Sequence, residues 1–297
     1  MRMSLVKNYL SLIKFSHTVF ALPFALTGFF LGVHHLKTSS GHVEITVDFY
    51  AYSFILVLLC MVFARSAAMA FNRYLDRHFD ARNPRTVIRE IPAGILSANQ
   101  VLWFTIIMSS LFMFSAWMIN TICFVLSPIA LLVILGYSYT KRFTALCHLV
   151  LGLALSLAPT GAYLAMTGEF DLVPIILSMA VLFWVAGFDI IYALQDESFD
   201  KEHGLRSIPV RIGAKNALEL SRIFHLITAV LLIVPGWMIK GELYYYIGTA
   251  LFIALLIYQH TLVKSNDLRK VNMAFFTTNG MASIIFGIFA IMDLLKR

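Results

Sequence analysis

Charge is scarce in this chain. Lys, Arg, Asp and Glu make up 13% of its 297 residues, where an ordinary soluble domain carries about a quarter. So few charges cannot cover a soluble protein of this length. With 60% hydrophobic residues and a mean hydropathy of +0.81, the class is all-α, a polytopic membrane protein. Cysteine is scarce too. Cys60, Cys123 and Cys147 stand singly in or beside apolar segments, have no metal-ligand spacing, and read as buried thiols. No low-complexity stretch or soluble domain interrupts the chain, so 1–297 reads as a single integral-membrane domain. The net charge of +7 comes from short loops between apolar runs. That is an orientation signal and attraction to anionic lipid, and it excludes a nucleic-acid surface. The N-terminus could be mistaken for a signal peptide. Arg2, Lys7 and Lys14 precede an apolar run at 15–33 that no small-residue cleavage pattern follows, so the run is expected to stay as a first helix.

What is present is a series of apolar runs. A helix needs roughly 20 residues to cross a bilayer core, and nine runs qualify: 15–34, 49–72, 99–119, 121–140, 146–167, 172–194, 217–239, 243–263 and 272–294. Only Asn120-Thr121 separates the third from the fourth, which predicts a tight helical hairpin. Gly168-Glu169 and Lys240-Gly241-Glu242 mark two further turns. With the N-terminus in the cytoplasm, seventeen of the 23 Lys and Arg residues fall in cytoplasmic segments and four in outer ones, Arg65 and Arg222 lying within helices. That bias predicts an N-in, C-out protein of the inner (cytoplasmic) membrane.

Two charged blocks stand out against this background. The first, at 72–80, reads NRYLDRHFD, and five arginines lie in or just after it: Arg73, Arg77, Arg82, Arg85 and Arg89. The second, at 189–200, reads DIIYALQDESFD. Both are expected on the cytoplasmic side, ending helices that run in the same direction. On a helix, positions seven and four apart share a face. Arg65, Asn72, Asp76 and Asp80 have that spacing, as do Asp189, Asp196 and Asp200, with Tyr192 on the same side. Opposed carboxylates and an amide oxygen make a hard-oxygen site. Such a site suits Mg²⁺, which binds through few carboxylates plus substrate phosphates. Without a cation, four carboxylates together repel one another. The bland alternative is a pair of solvated loops whose charges never meet. The candidate ligands are Asn72, Asp76, Asp80, Asp196 and Asp200.

Arg85, Arg89, Lys141 and Arg142 flank the blocks. Each alone fits positive-inside anchoring; as a group they fit phosphate oxygens. Arg65 lies two turns inside the membrane from Asn72, where an unpaired cation costs at least ~2.5 kcal/mol. Its partner is either Asp189 or a substrate carboxylate. Asp189 in turn either holds Arg65 or acts on a substrate hydroxyl. Arg73, Arg77 and Arg82 are expected to serve orientation alone. Phe71, Tyr74, Tyr137, Tyr139, Phe188 and Tyr192 are placed to shield a carbocation, although packing accounts for any one of them. Pro23, Pro128, Pro159 and Pro235 read as kinks, and Thr277, Thr278 and Asn279 as helix–helix glue.

At these residues the sequence resembles the UbiA-type intramembrane prenyltransferase superfamily. Its NxxxDxxxD motif is matched by Asn72, Asp76 and Asp80, and continues into NPRTVIREIPAG at 83–94. Its second motif, DxxYAxxDxxxDxxxGxxS, is matched by Asp189, Tyr192, Ala193, Asp196, Asp200, Gly204 and Ser207. The RSA at 65–67 and the YxxxKR at 137–142 also look like the family. The resemblance implies nine transmembrane helices around a central cavity open to membrane lipid, with Mg²⁺ holding a polyprenyl diphosphate. It implies that Arg85, Arg89, Lys141 and Arg142 bind the diphosphate, that Arg65 anchors an aromatic carboxylate acceptor, and that Asp189 assists loss of its phenolic proton. The acceptor implied is 4-hydroxybenzoate, in ubiquinone synthesis. The loops REIPAG and GLRSIPVRIG also resemble a branch whose members include enzymes prenylating a dihydroxynaphthoate in menaquinone synthesis. A cation-coupled transporter is the non-enzyme alternative. It would place its ionisable groups near the bilayer midplane, whereas here they gather at one face. The paired motifs of a cytidine-diphosphate alcohol phosphotransferase form one compact cluster, unlike two blocks about 120 residues apart.

Overall fold

The computed structural model describes residues 5–13, 20–39 and 46–296. These are almost wholly helical. They form α1 (Leu5–Ile13), α2 (Leu22–Ser39), α3 (Val47–Asp80), α4 (Ala98–Ile119), α5 (Thr121–Thr140), α6 (Cys147–Thr167) and α7 (Leu172–Ala193), then α8 (Glu197–Glu202), α9 (Ile208–Met238), α10 (Leu243–Leu262) and α11 (Asn279–Lys296). Eight helical segments among the described residues are long and apolar enough to cross a membrane. The first expected span, 15–34, falls partly outside the described residues; α2 covers the rest of it and runs on to Ser39.

The chain divides into two compact units. One comprises Met1–Thr18 and Ile55–Tyr139, the other Val19–Phe54 and Thr140–Arg297. In the first, α4 and α5 form the expected hairpin. Asn120 is extended (φ −166°, ψ 169°), and its Oδ1 accepts the N–H of Cys123 at 2.8 Å, so one residue ends α4 and caps α5. Ser97 and Gln100 form a capping box at the start of α4. Large apolar side chains such as Trp103, Phe114, Trp117 and Leu132 remain exposed along this hairpin, as lipid-facing positions require.

In the second unit α7 is the central element, buried against α6 and α9. Trp184, Phe188, Ile190 and Ile191 are sealed on it, the all-round burial of a helix surrounded by others. Close approach to α6 is made at Gly152, where a Cβ would strike the Leu182 carbonyl. The turns at Gly168 (φ 69°) and at Lys240-Gly241 lie where the sequence places them. Asn279 Oδ1 accepts the Trp184 indole N–H at 2.9 Å, and its Nδ2 donates to the carbonyls of Ala274 and Phe275. The glue expected of the 277–279 trio is thus carried by Asn279, beside a π-helical turn at Met273–Thr278.

Pro128, Pro159 and Pro235 lie inside helices. Pro23 does not act as a kink. It is the second residue of α2, in the first turn, where a missing N–H costs no helical hydrogen bond. α9 is interrupted at Gly213 (φ 78°, ψ 160°), which explains why apolar patterning begins only at 217.

Candidate active site

The first acidic block is built on one continuous helix. Hydropathy ends the span at 72, yet α3 continues to Asp80. Its 34 residues reach about 51 Å at 1.5 Å per residue, longer than a ~30 Å hydrocarbon core. The last turns therefore carry Asn72, Asp76 and Asp80 along one face past the apolar part of the helix. Asp76 and Asp80 are buried. Asn72 Nδ2 donates to Asp76 Oδ2 at 3.2 Å and to Ser138 Oγ at 3.4 Å. Arg89 Nη1 donates to Asp80 Oδ1 at 2.6 Å, while Asp80 Oδ2 is buried without a hydrogen-bond partner.

The loop after α3 folds back to make this possible. Asn83 Oδ1 accepts the Arg85 N–H at 2.9 Å, and Thr86 Oγ1 donates to the Asp80 carbonyl at 3.2 Å. Gly94 closes the loop with φ 69°, a conformation that favours glycine. Arg85 is exposed and Arg89 half-buried. Arg73 departs from its expected role as an orientation charge. It is buried, with Nε 3.8 Å from Glu90 Oε2, and Glu90 Oε1 accepts the Ser11 hydroxyl at 2.6 Å. A guanidinium removed from water requires such a partner. Arg77 donates to the Tyr74 carbonyl and lies 4.5 Å over the Tyr74 ring, whereas Arg82 is exposed. Arg65 is half-buried, and its Nε is buried without a hydrogen-bond partner among the described residues.

The second block is not one helical face. α7 ends at Ala193, a 3₁₀ turn covers Leu194–Asp196, and α8 begins at Glu197. The tighter turn shifts the phase of Asp196 and Asp200 relative to Asp189 and Tyr192. Asp196 is half-buried and Asp200 buried. The Leu205 N–H donates to the Asp200 carbonyl at 2.8 Å. The segment that follows is stapled to the loop after α5. The Arg206 N–H donates to the Lys141 carbonyl at 2.6 Å, and Arg206 Nη1 to the Phe143 carbonyl at 2.7 Å. The second unit thus brings Lys141 and Arg142, both half-buried, into one framework with the strand of chain that leaves the acidic block.

Asp189 has a partner that the sequence reading did not single out. Its Oδ2 lies 2.7 Å from Nδ1 of His148, on the first turn of α6. A lone histidine in an apolar stretch gives no periodic signal. Among the six aromatics chosen as cation shields, Phe188 is sealed within the core with Trp184 and Phe275. Tyr192 packs against Phe275 with centroids 4.2 Å apart and the rings tilted by 32°.

A divalent cation fits the donor set of the first block. The donors are one amide and two carboxylates, four residues apart on one helix. A buried carboxylate oxygen without a donor costs free energy, and a hard cation removes that cost at Asp80 Oδ2. Turning the Asn72 amide presents Oδ1 in place of Nδ2. Within neither unit do three or more His, Cys, Asp or Glu side chains gather into a complete cage among the described residues.

The UbiA prenyltransferase family model matches residues 21–281. The chain belongs to this family. It is 32% identical over 237 residues to the 4-hydroxybenzoate octaprenyltransferase of Tolumonas auensis, covering 80% of this chain and 82% of that protein. It is 30% identical to the enzyme of the same name from Nitrosospira multiformis, covering 82% and 83%. Among solved structures, a UbiA homolog from Aeropyrum pernix K1 in its apo form superposes with a TM-score of 0.81 at 31% identity, covering 93% of this chain and 98% of that one. A UbiA homolog from Archaeoglobus fulgidus bound to DMAPP and Mg²⁺ shares the fold, with a TM-score of 0.75 at 24% identity, covering 97% and 99%. Both UbiA motifs thus lie inside the matched region.

Proposed function

We propose that this UbiA-family chain transfers a polyprenyl group from a polyprenyl diphosphate to 4-hydroxybenzoate, in respiratory quinone synthesis. The observation that carries the reading is the polar face of α3, where Asp80 keeps one buried oxygen unpartnered and the other on Arg89. The names of the curated relatives support the acceptor. The Archaeoglobus homolog bound to DMAPP and Mg²⁺ supports the donor class and the metal. The family match runs through both compact units, which supports one catalytic domain.

In this reading Asn72, Asp76, Asp80, Asp196 and Asp200 hold Mg²⁺. When bound, the metal neutralises the diphosphate and so eases its departure. Arg85, Arg89, Lys141 and Arg142 bind the same phosphate oxygens through charge-assisted hydrogen bonds. Arg65, with its unpartnered Nε, anchors the acceptor's carboxylate. The allylic C–O bond breaks and diphosphate leaves with the electron pair. The ring carbon beside the hydroxyl supplies the pair for the new C–C bond, while the hydroxyl proton passes to Asp189. The ring then loses its own proton to diphosphate as Asp189 returns one to the oxygen, and aromaticity is restored. The charge bias of the loops supports an inner-membrane protein with its N-terminus and its site on the cytoplasmic side, and its C-terminus outside.

The test is release of diphosphate from labelled polyprenyl diphosphate by the reconstituted protein, with and without Mg²⁺. Metal-dependent release with 4-hydroxybenzoate is expected. Product with dihydroxynaphthoate alone would move the acceptor to the menaquinone branch, and no release with either acid would refute the enzyme assignment.

A further inference from the structure

The Asp189–His148 pair has a geometry that fixes its protons. His148 Nε2 lies 3.3 Å from the backbone nitrogen of Ile208, whose single hydrogen points to it. A backbone N–H only donates, so Nε2 is the acceptor. The ring's one proton is therefore on Nδ1, donated to Asp189 Oδ2 at 2.7 Å. A second ring proton would set two donors face to face in a sealed place, so the contact from Ile208 fits a neutral imidazole that donates to the carboxylate.

Burial divides the pair unequally. The His148 side chain is 3% exposed and that of Asp189 21%. The ring is sealed, while the carboxylate keeps part of its surface accessible. Among the described residues His148 is the one hydrogen-bond partner of Asp189. One carboxylate oxygen is held and the other is left for a reacting group. The Ile208 N–H belongs to the first turn of α9, whose N-cap is Ser207, and such N–H groups lack intrahelical acceptors. His148 therefore ties together the first turn of α6, the last turns of α7 and the start of α9. Cys147 Sγ, 3.6 Å from the Arg206 carbonyl, lies on the same seam.

We propose that His148 is a positioning residue for Asp189. It holds the carboxylate in one rotamer and keeps its free oxygen aimed at the acceptor's hydroxyl. It also fixes that aim to the segment that leaves the second acidic block. The inference rests on the reading of Asp189 as the group that takes the phenolic proton. It adds a residue outside both sequence motifs, chosen by contact alone. Its role is orientation and tautomer control, the part that a buried partner plays for a reacting group.

Two variants separate this role from packing. His148→Leu fills much of the space and has neither donor nor acceptor. His148→Gln offers both in one amide, Nε2–H toward Asp189 and Oε1 toward Ile208. In proteoliposomes with 4-hydroxybenzoate and polyprenyl diphosphate, the leucine variant should lose roughly 10- to 100-fold in kcat, the range of a lost orienting partner. Its KM for the diphosphate should stay within about twofold, because that substrate is bound elsewhere. The glutamine variant should recover most of the loss. ¹⁵N NMR of histidine-labelled wild-type protein in bilayers, with His148→Gln used for assignment, should show His148 as the neutral Nδ1–H tautomer. That measurement stands even if the leucine variant does not fold. An Nε2–H tautomer or an imidazolium overturns the proposal. So does full kcat in His148→Leu, or a folded glutamine variant no better than leucine. If Asp189→Asn is inactive in those cases, the proton-acceptor reading survives and only the positioning role falls. If Asp189→Asn keeps full kcat, both fall together.

Discussion

Arg89 stands where two roles compete, and substitution separates them. Its Nη1 lies 2.6 Å from Asp80 Oδ1, and the Asp80 side chain is only 7% exposed, with Oδ2 already unpartnered. Arg89→Ala would leave a buried carboxylate with no side-chain donor. Breaking such a pair costs about 3–5 kcal/mol. The Arg89 side chain is 22% exposed, which places the expected cost at the lower end, about 3 kcal/mol. At roughly 2–4 °C per kcal/mol, the protein in detergent should melt at least 6 °C lower. In an Asp80→Asn background the stranded charge is gone, and Arg89→Ala should cost almost no stability. Activity in that same background decides whether Arg89 also grips diphosphate. A lost charge-assisted hydrogen bond contributes about 1.5–3 kcal/mol, a further 10- to 150-fold in kcat/KM for the polyprenyl diphosphate. The assay is product formation across a range of diphosphate concentrations at saturating Mg²⁺, with Asp80→Asn and Asp80→Asn/Arg89→Ala compared directly. Equal kcat/KM in these two proteins would refute the diphosphate role. An Arg89→Ala protein that melts with wild type would refute the reasoning about the pair.

Three further outcomes follow from packing and from the polar contacts of the second unit. A Cβ at Gly28 would strike the Pro159 carbonyl where α2 crosses α6; Gly28→Val should therefore destabilise by at least the ~1–3 kcal/mol of overpacking, read as a lower melting temperature, and a wild-type melt would show that the helices separate freely. Asp293, fully buried on α11, accepts the N–H groups of Glu242 and Tyr245 at 3.1 Å each, where α10 starts without a side-chain cap of its own; Asp293→Leu should lower the melting temperature more than Asp293→Asn, which keeps one acceptor, and the reverse order would contradict capping from α11. Trp184→Phe removes the indole donor to Asn279 and should cost about 1–2 kcal/mol in detergent melts, with Asn279→Leu costing more because the carbonyls of Ala274 and Phe275 lose their donor as well.

The sequence shows the spans because lipid demands long apolar helices, and it shows the hairpin corner because Asn120 both ends one helix and caps the next. It shows the α3 face because four-residue spacing on an unbroken helix is reliable. The same reasoning misses a change of helix type at 194–196. Leu-Gln-Asp contains no glycine or proline to announce a break, yet the helix tightens to a 3₁₀ turn before Asp196. It also ends the second span eight residues early. Hydropathy detects where the hydrocarbon stops, whereas the charged residues after Asn72 continue the helix into the aqueous margin. Ser11 and Glu90 are 79 positions apart and His148 and Asp189 are 41 apart. Such pairs are set by how helices cross, and no local pattern encodes them.

These pairs explain how the charged motifs are held before any ligand arrives. Carboxylates gathered for a cation repel one another and pull toward water. Each block answers within its own unit. On α3, Asp80 is held by Arg89, and the loop carrying Arg89 is anchored through Glu90 to Arg73 and Ser11. After α7, Asp189 is held by His148, while the chain past Asp200 is anchored to the Lys141 and Phe143 carbonyls through Arg206. In both cases the carboxylate has one oxygen hydrogen-bonded and the other without a partner among the described residues. A site arranged this way has its orientation cost met by folding, so that ligand binding is left mainly with electrostatics. The arginines of the first loop accordingly divide by burial rather than by position in the motif. Arg73 is buried against Glu90, Arg89 is half-buried on Asp80, and Arg85 and Arg82 keep exposed surface.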